Sequence, residues 1–294
     1  MTLKKALLRL IRGYYQIYFL ISGKRALKSL FNLFTSPKFQ KVRPKEQPYL
    51  EGQNENYLKI DGKRITYYRW NNLADKTVLL LHGWEGNAGS WGKFIDHLFN
   101  EGYEIIAINA PAHHHSEGKQ CTIRDYQKTV EEFIRVFRVS IIIAHSFGTA
   151  AVALALESLK DHQIEKLVSI SAPNRMIDIV TGFTDFIGLN SDQRHKFFRY
   201  VTKQLNLTFE DAVVSKALSQ KRFDLLTIHD VEDRVVGVEN AKEISFSQPN
   251  SSTYIVENTG HYKILWNQDV VHTVAQFLKD EKSLHPEQEL SKTI

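Results

Sequence analysis

The 294-residue chain contains one cysteine, no acidic residue among positions 1–45, and no long uncharged apolar run near its start. Because a disulfide needs two cysteines, the lone Cys121 excludes an internal disulfide and is compatible with a reducing cytosol. No transmembrane span is expected, since Arg9 and Arg12 interrupt the apolar stretch and the charge-free run 13–23 is too short to cross a bilayer. The same two arginines, with no small-residue cleavage site after them, argue against a signal peptide.

Internal repeats and low-complexity tracts are also missing, which excludes repeat architectures. Hydrophobic residues make up 43% of the chain, enough to bury one large core, and α/β folds commonly reach this length as one domain. The adjacent His113, His114 and His115 would point in different directions, and no cluster of Cys, Asp or Glu stands near them at ligand spacing. The sequence therefore predicts neither a metal site nor a cofactor.

The most informative feature is an apolar run, residues 140–144, that leads through His145 to Ser146 and then into an alanine-rich segment. A serine on so tight a strand-to-helix turn needs small residues two positions before and after it, and Ala144 and Gly148 meet that need. The pattern Ala-His-Ser-Phe-Gly therefore predicts a nucleophile elbow that exposes the Ser146 hydroxyl at the sheet edge. His145 is expected to have a structural role.

A second apolar run, residues 77–81, ends in the loop His82-Gly83-Trp84-Glu85-Gly86. Glycine in such a loop lets backbone N–H groups turn inward. Acyl transfer needs two donors aimed at the oxyanion, and the candidates are the N–H groups of Trp84 and Phe147. Losing one such donor typically costs ~10²–10³ in rate, so this loop is predicted to matter as much as the side chains.

Two further apolar runs, residues 223–228 and 253–256, precede polar groups: Asp230 and Asp233 follow the first, and Gly260-His261 follows the second. With its serine, acid and histidine in this order, the chain resembles the α/β-hydrolase fold superfamily of serine hydrolases over about residues 56–280. The His-Gly-Trp loop, the elbow, the Asp-x-x-Val acid loop and the Gly-His pair carry the resemblance.

The resemblance implies an α/β fold, a mostly parallel sheet flanked by helices, with a triad of nucleophile, acid and base. Asp233 is the better acid because Val236 follows it by three residues and because it lies 28 residues before His261, whereas Asp230 lacks this spacing. The catalytic residues are predicted to be Ser146, Asp233 and His261.

Two motifs depart from the family pattern. Ala144 stands where glycine is commoner before the elbow serine, which its small side chain tolerates. Residues 109–116 resemble the family's D-x-P-G-H-G-x-S loop, but Asn109 replaces the aspartate, and Ala112 and His114 replace glycines. Because that loop is not catalytic in the family, these changes concern its turn geometry and the shape of the acyl pocket.

An insertion, residues 173–222, separates two predicted strands and reads as helical over 192–205 and, after a capping box at 208–211, over 212–218. The resemblance implies that it forms a cap over the active site. An apolar substrate pocket is predicted. Its candidate residues are Glu85, Met176, Phe183, Phe186 and Tyr262. Ordinary helix packing is the alternative role for those that lie in the cap.

Positions 1–45 carry eleven basic residues, whereas the rest of the chain carries 27 basic and 33 acidic ones. Gly23 is predicted to end a first helix, and a second, short helix is predicted over residues 27–34. Lys5, Arg9 and Arg12 lie on one face of the first helix. Spacings of three and four residues predict an apolar face made of Leu3, Leu7, Leu10, Tyr14, Ile17 and Ile21.

Two interpretations of this basic extension stay open. Its apolar face could pack on the body, or it could lie in an anionic membrane interface. Nucleic-acid binding is not predicted, since no recognised binding module accompanies the charge. The predicted organisation is an extension, 1–45, and a hydrolase domain, 46–294, in the cytoplasm, either free or at the inner face of the membrane.

The predicted function is hydrolysis of a carboxylic ester or related acyl substrate through a covalent acyl-serine intermediate. Acyl transfer, thioester or carbon–carbon hydrolysis and perhydrolysis are alternatives of the same fold, because fold does not choose among them. A non-catalytic, ligand-binding protein is the opposing class, and the intact Ser146, Asp233 and His261 argue against it.

Overall fold

The computed structural model describes residues 3–52, 54–159, 161 and 164–279, with side chains from residue 6 onward. The side chains of Leu3 and Lys5, assigned above to two faces of the first helix, lie outside this described part. Eight strands form one sheet: β1 Glu55–Ile60, β2 Lys63–Trp70, β3 Thr77–Leu81, β4 Glu104–Ile108, β5 Ile141–His145, β6 Lys166–Ile170, β7 Asp224–Asp230 and β8 Ser251–Val256.

The strand order across the sheet is β1-β2-β4-β3-β5-β6-β7-β8. β2 pairs antiparallel with β1 and β4, and all other neighbouring pairs are parallel. The predicted α/β class with a mostly parallel sheet is therefore confirmed. The apolar runs identified in the sequence become β3, β5, β7 and β8, with boundaries shifted by at most two residues.

The described helices are α1 Leu3–Thr35, α2 Gly92–Asn100, α3 Ile123–Phe137, α4 Phe147–Ser158, α5 Met176–Ile187, α6 Ser191–Leu205, α7 Val214–Ser219, α8 Glu239–Ser245, α9 Gly260–Lys263 and α10 Gln268–Lys279. Helices α2 and α10 cover one face of the sheet, and α3 and α4 cover the other. All five residues of β3 are buried. Val78 and Leu80 enter the core beneath α2 and α10, and Leu79 and Leu81 enter the core beneath α3 and α4. Burial on both faces explains why the central strands are nearly continuous apolar runs.

The carboxyl ends of the parallel strands coincide. Leu81 of β3 is in register with Ala144 of β5, and Asp230 of β7 is in register with Val256 of β8. The loops that follow these strands therefore meet at one edge of the sheet, where α/β proteins place their binding sites.

The insertion between β6 and β7 contains α5, α6 and α7. Asn190 caps α6: its side chain accepts from the Gln193 N–H at 3.0 Å, and the Gln193 side chain accepts from the Asn190 N–H at 3.0 Å. The predicted capping box at 208–211 forms a turn, and the next helix begins at Val214, two residues later than expected.

The predicted pair of N-terminal helices is one long α1 with a kink at Ser22, whose φ of −159° is non-helical. The break thus falls one residue before Gly23. The helix lies against α5 and α6, with Ile11, Tyr15, Tyr18 and Phe19 on the side facing the core. The predicted apolar face points the other way and is exposed. Over the described residues, no helix is both long and apolar enough to span a membrane.

Candidate active site

Ser146 occupies the turn between β5 and α4 and is 8% exposed. Its φ of 51° lies in the left-handed region, which non-glycine residues rarely adopt and which often marks functional strain. Gly148 must remain small, because a Cβ there would lie 2.6 Å from the carbonyl oxygen of Leu81. The backbone therefore presents Ser146 as the elbow motif predicts.

Three side chains from separate loops form a hydrogen-bonded row at this edge of the sheet. The Ser146 Oγ lies 3.1 Å from His261 Nε2, and His261 Nδ1 lies 2.7 Å from Asp233 Oδ2. An ionised carboxylate can only accept, so Nδ1 carries a proton and Nε2 is free to accept one from Ser146. The structure thus brings together the three residues proposed from the sequence.

Hydrogen bonds keep the Asp233 carboxylate charged. Burial alone would raise its pKa, but hydrogen bonds from His229, from His261 and from the Val236 N–H outweigh burial and hold that pKa well below its usual range. The other oxygen, Oδ1, accepts from the Val235 N–H at 2.8 Å and from the Val236 N–H at 3.0 Å. The site therefore contains a fixed negative charge that can orient His261.

Asp230, the alternative acid, has a different set of partners. It is fully buried, and its Oδ2 accepts from the Thr259 hydroxyl at 2.6 Å and from the Gly260 N–H at 2.8 Å. Its Oδ1 accepts from the Glu232 N–H at 2.7 Å. Asp230 thus holds the loop that carries His261, whereas Asp233 contacts the imidazole itself.

The two candidate oxyanion donors flank the serine. Phe147 is the first residue of α4, so its N–H has no partner within the helix. Among the described residues, neither this N–H nor that of Trp84 makes a hydrogen bond. The Trp84 and Phe147 rings pack edge to face, with centroids 5.6 Å apart. Both N–H groups thus remain available to a ligand.

Two buried histidines, His82 and His113, support the loop that follows β3. His113 Nε2 accepts from the Glu85 N–H at 3.1 Å, and His82 Nε2 accepts from the Ala110 N–H at 2.9 Å. Burial lowers the pKa of His113 to about 4, which keeps its ring neutral and able to accept. The unusual 109–116 loop thereby holds the loop after β3.

The departures from the family pattern in that loop retain its turns. Ala112 has a φ of 61° and His114 a φ of 44°, so the left-handed conformation persists where the family has glycine. Asn109, in place of aspartate, accepts from the Ala88 N–H at 2.8 Å. No set of three His, Cys, Asp or Glu side chains among the described residues is arranged to hold a metal ion.

His145 and His229 lie behind the triad. His145 Nε2 donates to the His261 carbonyl oxygen at 2.8 Å, and burial lowers the His145 pKa to about 3. His229 Nε2 lies 2.9 Å from the Val236 carbonyl oxygen and 3.5 Å from Asp233 Oδ2. Both residues therefore fix the loops that carry the acid and the base.

A cavity of about 230 Å³ opens beside the elbow. The predicted pocket residues Glu85 and Tyr262 line it, together with His82, Gly83, Trp84 and His145. Three residues of the basic extension, Phe39, Lys41 and Arg43, also line it, which was not expected from the sequence. Glu85 holds this segment because its Oε1 accepts from the N–H groups of Lys38 and Phe39 at 2.7 and 2.9 Å.

The other three predicted pocket residues lie away from this cavity. The Phe183 ring packs on Phe34 of α1 and Phe197 of α6, with centroids 5.0 and 5.7 Å apart. Phe186 is 55% exposed, and Met176 packs at the margin of the core. None of the three lines this cavity, and α1 packs on the insertion at Phe183. Their assignment to a substrate pocket stays a prediction.

Comparison with known proteins agrees with this architecture. The sequence model of a family described as alpha/beta hydrolase fold matches residues 76–217. An uncharacterized hydrolase of Bacillus subtilis, YugF, is 24% identical, with 69% of this chain and 89% of that protein covered.

Solved structures of other proteins have a similar fold. The esterase Pf2001 of Pyrococcus furiosus superposes with a TM-score of 0.60 at 20% identity, over 83% of this chain and 96% of that one. A bromoperoxidase of Bacillus anthracis superposes with a TM-score of 0.61 at 18% identity, over 77% and 100%. At such identities these likenesses concern the fold alone.

Proposed function

The chain belongs to the α/β-hydrolase fold superfamily, and from this premise we propose that it is a serine hydrolase acting on a carboxylic ester or related acyl substrate. The observation that carries the proposal is the row from Ser146 Oγ through His261 to Asp233, at 3.1 and 2.7 Å. Nucleophile, base and orienting acid in contact are the arrangement that activates a hydroxyl.

In the first half-reaction the Ser146 oxygen bonds to the substrate carbonyl carbon, and its proton passes to His261 Nε2. Asp233 stabilises the imidazolium that forms. The N–H groups of Trp84 and Phe147 donate to the oxyanion. His261 then returns the proton to the leaving alcohol as the carbon–oxygen bond breaks, which leaves an acyl-serine.

In the second half-reaction a water molecule gives its proton to His261 and attacks the acyl carbon. Collapse of the second oxyanion breaks the bond to Ser146, whose oxygen regains the proton. The products are a carboxylic acid and free enzyme. An alcohol, amine or peroxide in place of water would give the transfer and perhydrolysis alternatives at the same serine.

We infer that the acyl group is small, because the cavity lined by His145 and Tyr262, the chain neighbours of Ser146 and His261, is itself small. Its volume of about 230 Å³ falls below the ~300–1,000 Å³ usual for drug-sized ligands. We therefore expect short-chain esters to react faster than long-chain ones.

We also propose that residues 46–294 act as the hydrolase domain and that 173–222 are its cap. The exit and return of the chain between β6 and β7 support the cap. Because Phe39, Lys41 and Arg43 line the cavity, the extension contributes to the pocket of the domain that follows it.

A fluorophosphonate probe, which reacts with activated serines, tests the proposal directly. We expect labelling of the wild type and of the control Ser158→Ala, at the far end of α4, but none of Ser146→Ala. A panel of p-nitrophenyl esters from short to long acyl chains, with acyl-CoA substrates beside it, then defines the substrate. An unlabelled wild type without esterase activity would indicate a ligand-binding protein instead.

A further inference from the structure

The first half of α1 carries apolar side chains that the described molecule does not cover. Their exposed fractions lie between 55% and 87%. The set, called here the apolar stripe, comprises Leu7, Leu10, Tyr14, Ile17, Leu20 and Ile21. Leu7, Leu10, Tyr14, Ile17 and Ile21 follow one another at spacings of three and four residues and so form one side of the helix.

The stripe is held in this orientation from the opposite side of the helix. Arg12 Nε donates to the Phe186 carbonyl oxygen at 2.9 Å, and Arg12 Nη2 to that of Asp185 at 3.1 Å. Gln16 donates to the Gly188 carbonyl oxygen at 2.9 Å and accepts from Gln193 at 3.0 Å. Tyr15, between these two, is buried. Rotation of α1 to bury the stripe would break all of these contacts.

A contiguous row of six large apolar side chains differs from scattered surface leucines. Isolated exposed apolar residues are ordinary, but contiguous patches mark surfaces that contact a partner or a membrane. The tyrosine in the stripe fits a membrane boundary, where an apolar ring and a polar hydroxyl meet both environments.

The positive charge around the stripe favours a negatively charged partner. Positions 1–45 carry eleven basic residues and no acidic one, and Lys24, Arg25 and Lys28 are exposed just beyond the stripe. A second copy of this chain would bring the same cations face to face. An anionic bilayer offers both an apolar interior and negative headgroups, each Lys or Arg near such a surface contributing ~1 kcal/mol.

We propose that the apolar stripe docks α1 in the interface of an anionic phospholipid bilayer, with the helix lying along the membrane rather than crossing it. The stripe enters the boundary between headgroups and acyl chains, and the exposed Lys24, Arg25 and Lys28 contact the phosphates. The contacts of Arg12 and Gln16 would then hold the hydrolase body at the surface.

Cosedimentation of the full-length protein with vesicles tests this inference. We expect binding to phosphatidylcholine vesicles that contain phosphatidylglycerol and much weaker binding to pure phosphatidylcholine. Leu10→Ser with Ile17→Ser should lower the partition coefficient at least ~10-fold, because two apolar side chains lose their burial. The matched control, Leu73→Ser with Phe246→Ser, alters two apolar residues outside α1 that are even more exposed, and it should bind as the wild type does.

The electrostatic part is tested separately. Lys24→Gln, Arg25→Gln and Lys28→Gln together should weaken binding roughly 100-fold at low salt, and added salt should weaken wild-type binding steeply. Circular dichroism melting checks that the variants fold.

Three results would overturn the inference: wild-type protein that stays in the supernatant with anionic vesicles, a stripe variant that binds as tightly as the wild type, or a lipid-free dimer that the stripe variant dissociates. Vesicle binding requires no catalysis, so its failure would leave the proposed reaction standing. Failure of the probe to label Ser146 would likewise leave vesicle binding untouched.

Discussion

The reaction centre and the apolar stripe differ in the burial and hydrogen bonding of their side chains. At the reaction centre Ser146, Asp233 and His261 are each under 10% exposed, and every one of them is hydrogen-bonded. In the stripe, large apolar side chains lie in solvent on a helix that is itself firmly docked.

Substitutions in the two regions therefore have different energetic consequences. Buried polar groups are stable only because each has a partner, so changes there alter charge and geometry within a fixed frame. Exposed apolar groups cost nothing to remove from the isolated protein, and their value appears only when another phase or molecule covers them. Variants in the two regions should therefore affect different measurements.

The largest effect is expected from Ser146→Ala. Loss of the nucleophile should lower kcat by roughly 10⁶, the magnitude found for a comparable triad, with the melting temperature nearly unchanged. Ester hydrolysis and thermal melting measure the two quantities. A variant that kept a tenth of wild-type turnover would exclude Ser146 as the nucleophile.

The next largest effect is expected from Asp233→Asn. The amide cannot fix the His261 tautomer, and such a change lowers kcat by about 10⁴ in a comparable triad. Asp230→Asn is the matched control, since Asp230 accepts from Thr259 and Gly260 rather than from the imidazole. Asp230→Asn should lower the stability of the fold and should reduce kcat less than Asp233→Asn does. If Asp230→Asn were the more damaging to kcat, the acid would be assigned three residues too late.

Acid should destabilise the fold through its buried histidines. The folded-state pKa is lowered to about 4 for His113 and about 3 for His145, so the unfolded chain takes up protons first as the pH falls. Each residue should remove stability at ~1.4 kcal/mol per pH unit below its unfolded pKa of ~6.5. From pH 7 to pH 5 the two together should cost roughly 4 kcal/mol in denaturant titrations. The stripe variant should show the same loss; a flat profile would mean that these rings are not buried and neutral.

The features that could be predicted from the sequence are local ones. Small residues around Ser146 specify the elbow because the steric need lies within two positions of it. The choice of Asp233 depended on its spacing to Val236 and His261. Strand runs such as Thr77–Leu81 were visible because burial on both faces makes them apolar throughout.

The features that the sequence did not predict depend on contacts between distant segments. Amphipathic spacing located two faces on α1, but which face is covered depends on α5 and α6, about 170 positions away. The contribution of Phe39 to the cavity likewise depends on Glu85, 46 positions away. The packing of Phe183 on Phe34 of α1 is a further contact of this kind, which the spacing of apolar residues within the insertion could not show.

The smallest expected effect tests the contrast between buried and exposed side chains most closely, because two leucines of the same helix, α1, differ greatly in burial. Leu30 is fully buried in the core, whereas Leu20 of the stripe is 87% exposed. Leu30→Ala should lower the free energy of unfolding by about 2–5 kcal/mol, through lost burial and the cavity left behind.

Leu20→Ala should change that free energy by less than about 0.5 kcal/mol, since alanine is also a good helix former and no contact is lost. Urea denaturation of the two variants in lipid-free buffer measures both values, and ester turnover of the folded variants should stay at the wild-type level. A loss above about 1 kcal/mol for Leu20→Ala would mean that something covers the stripe in solution. Concentration dependence of that loss would identify the cover as a second copy, and the contrast between the two regions would then disappear.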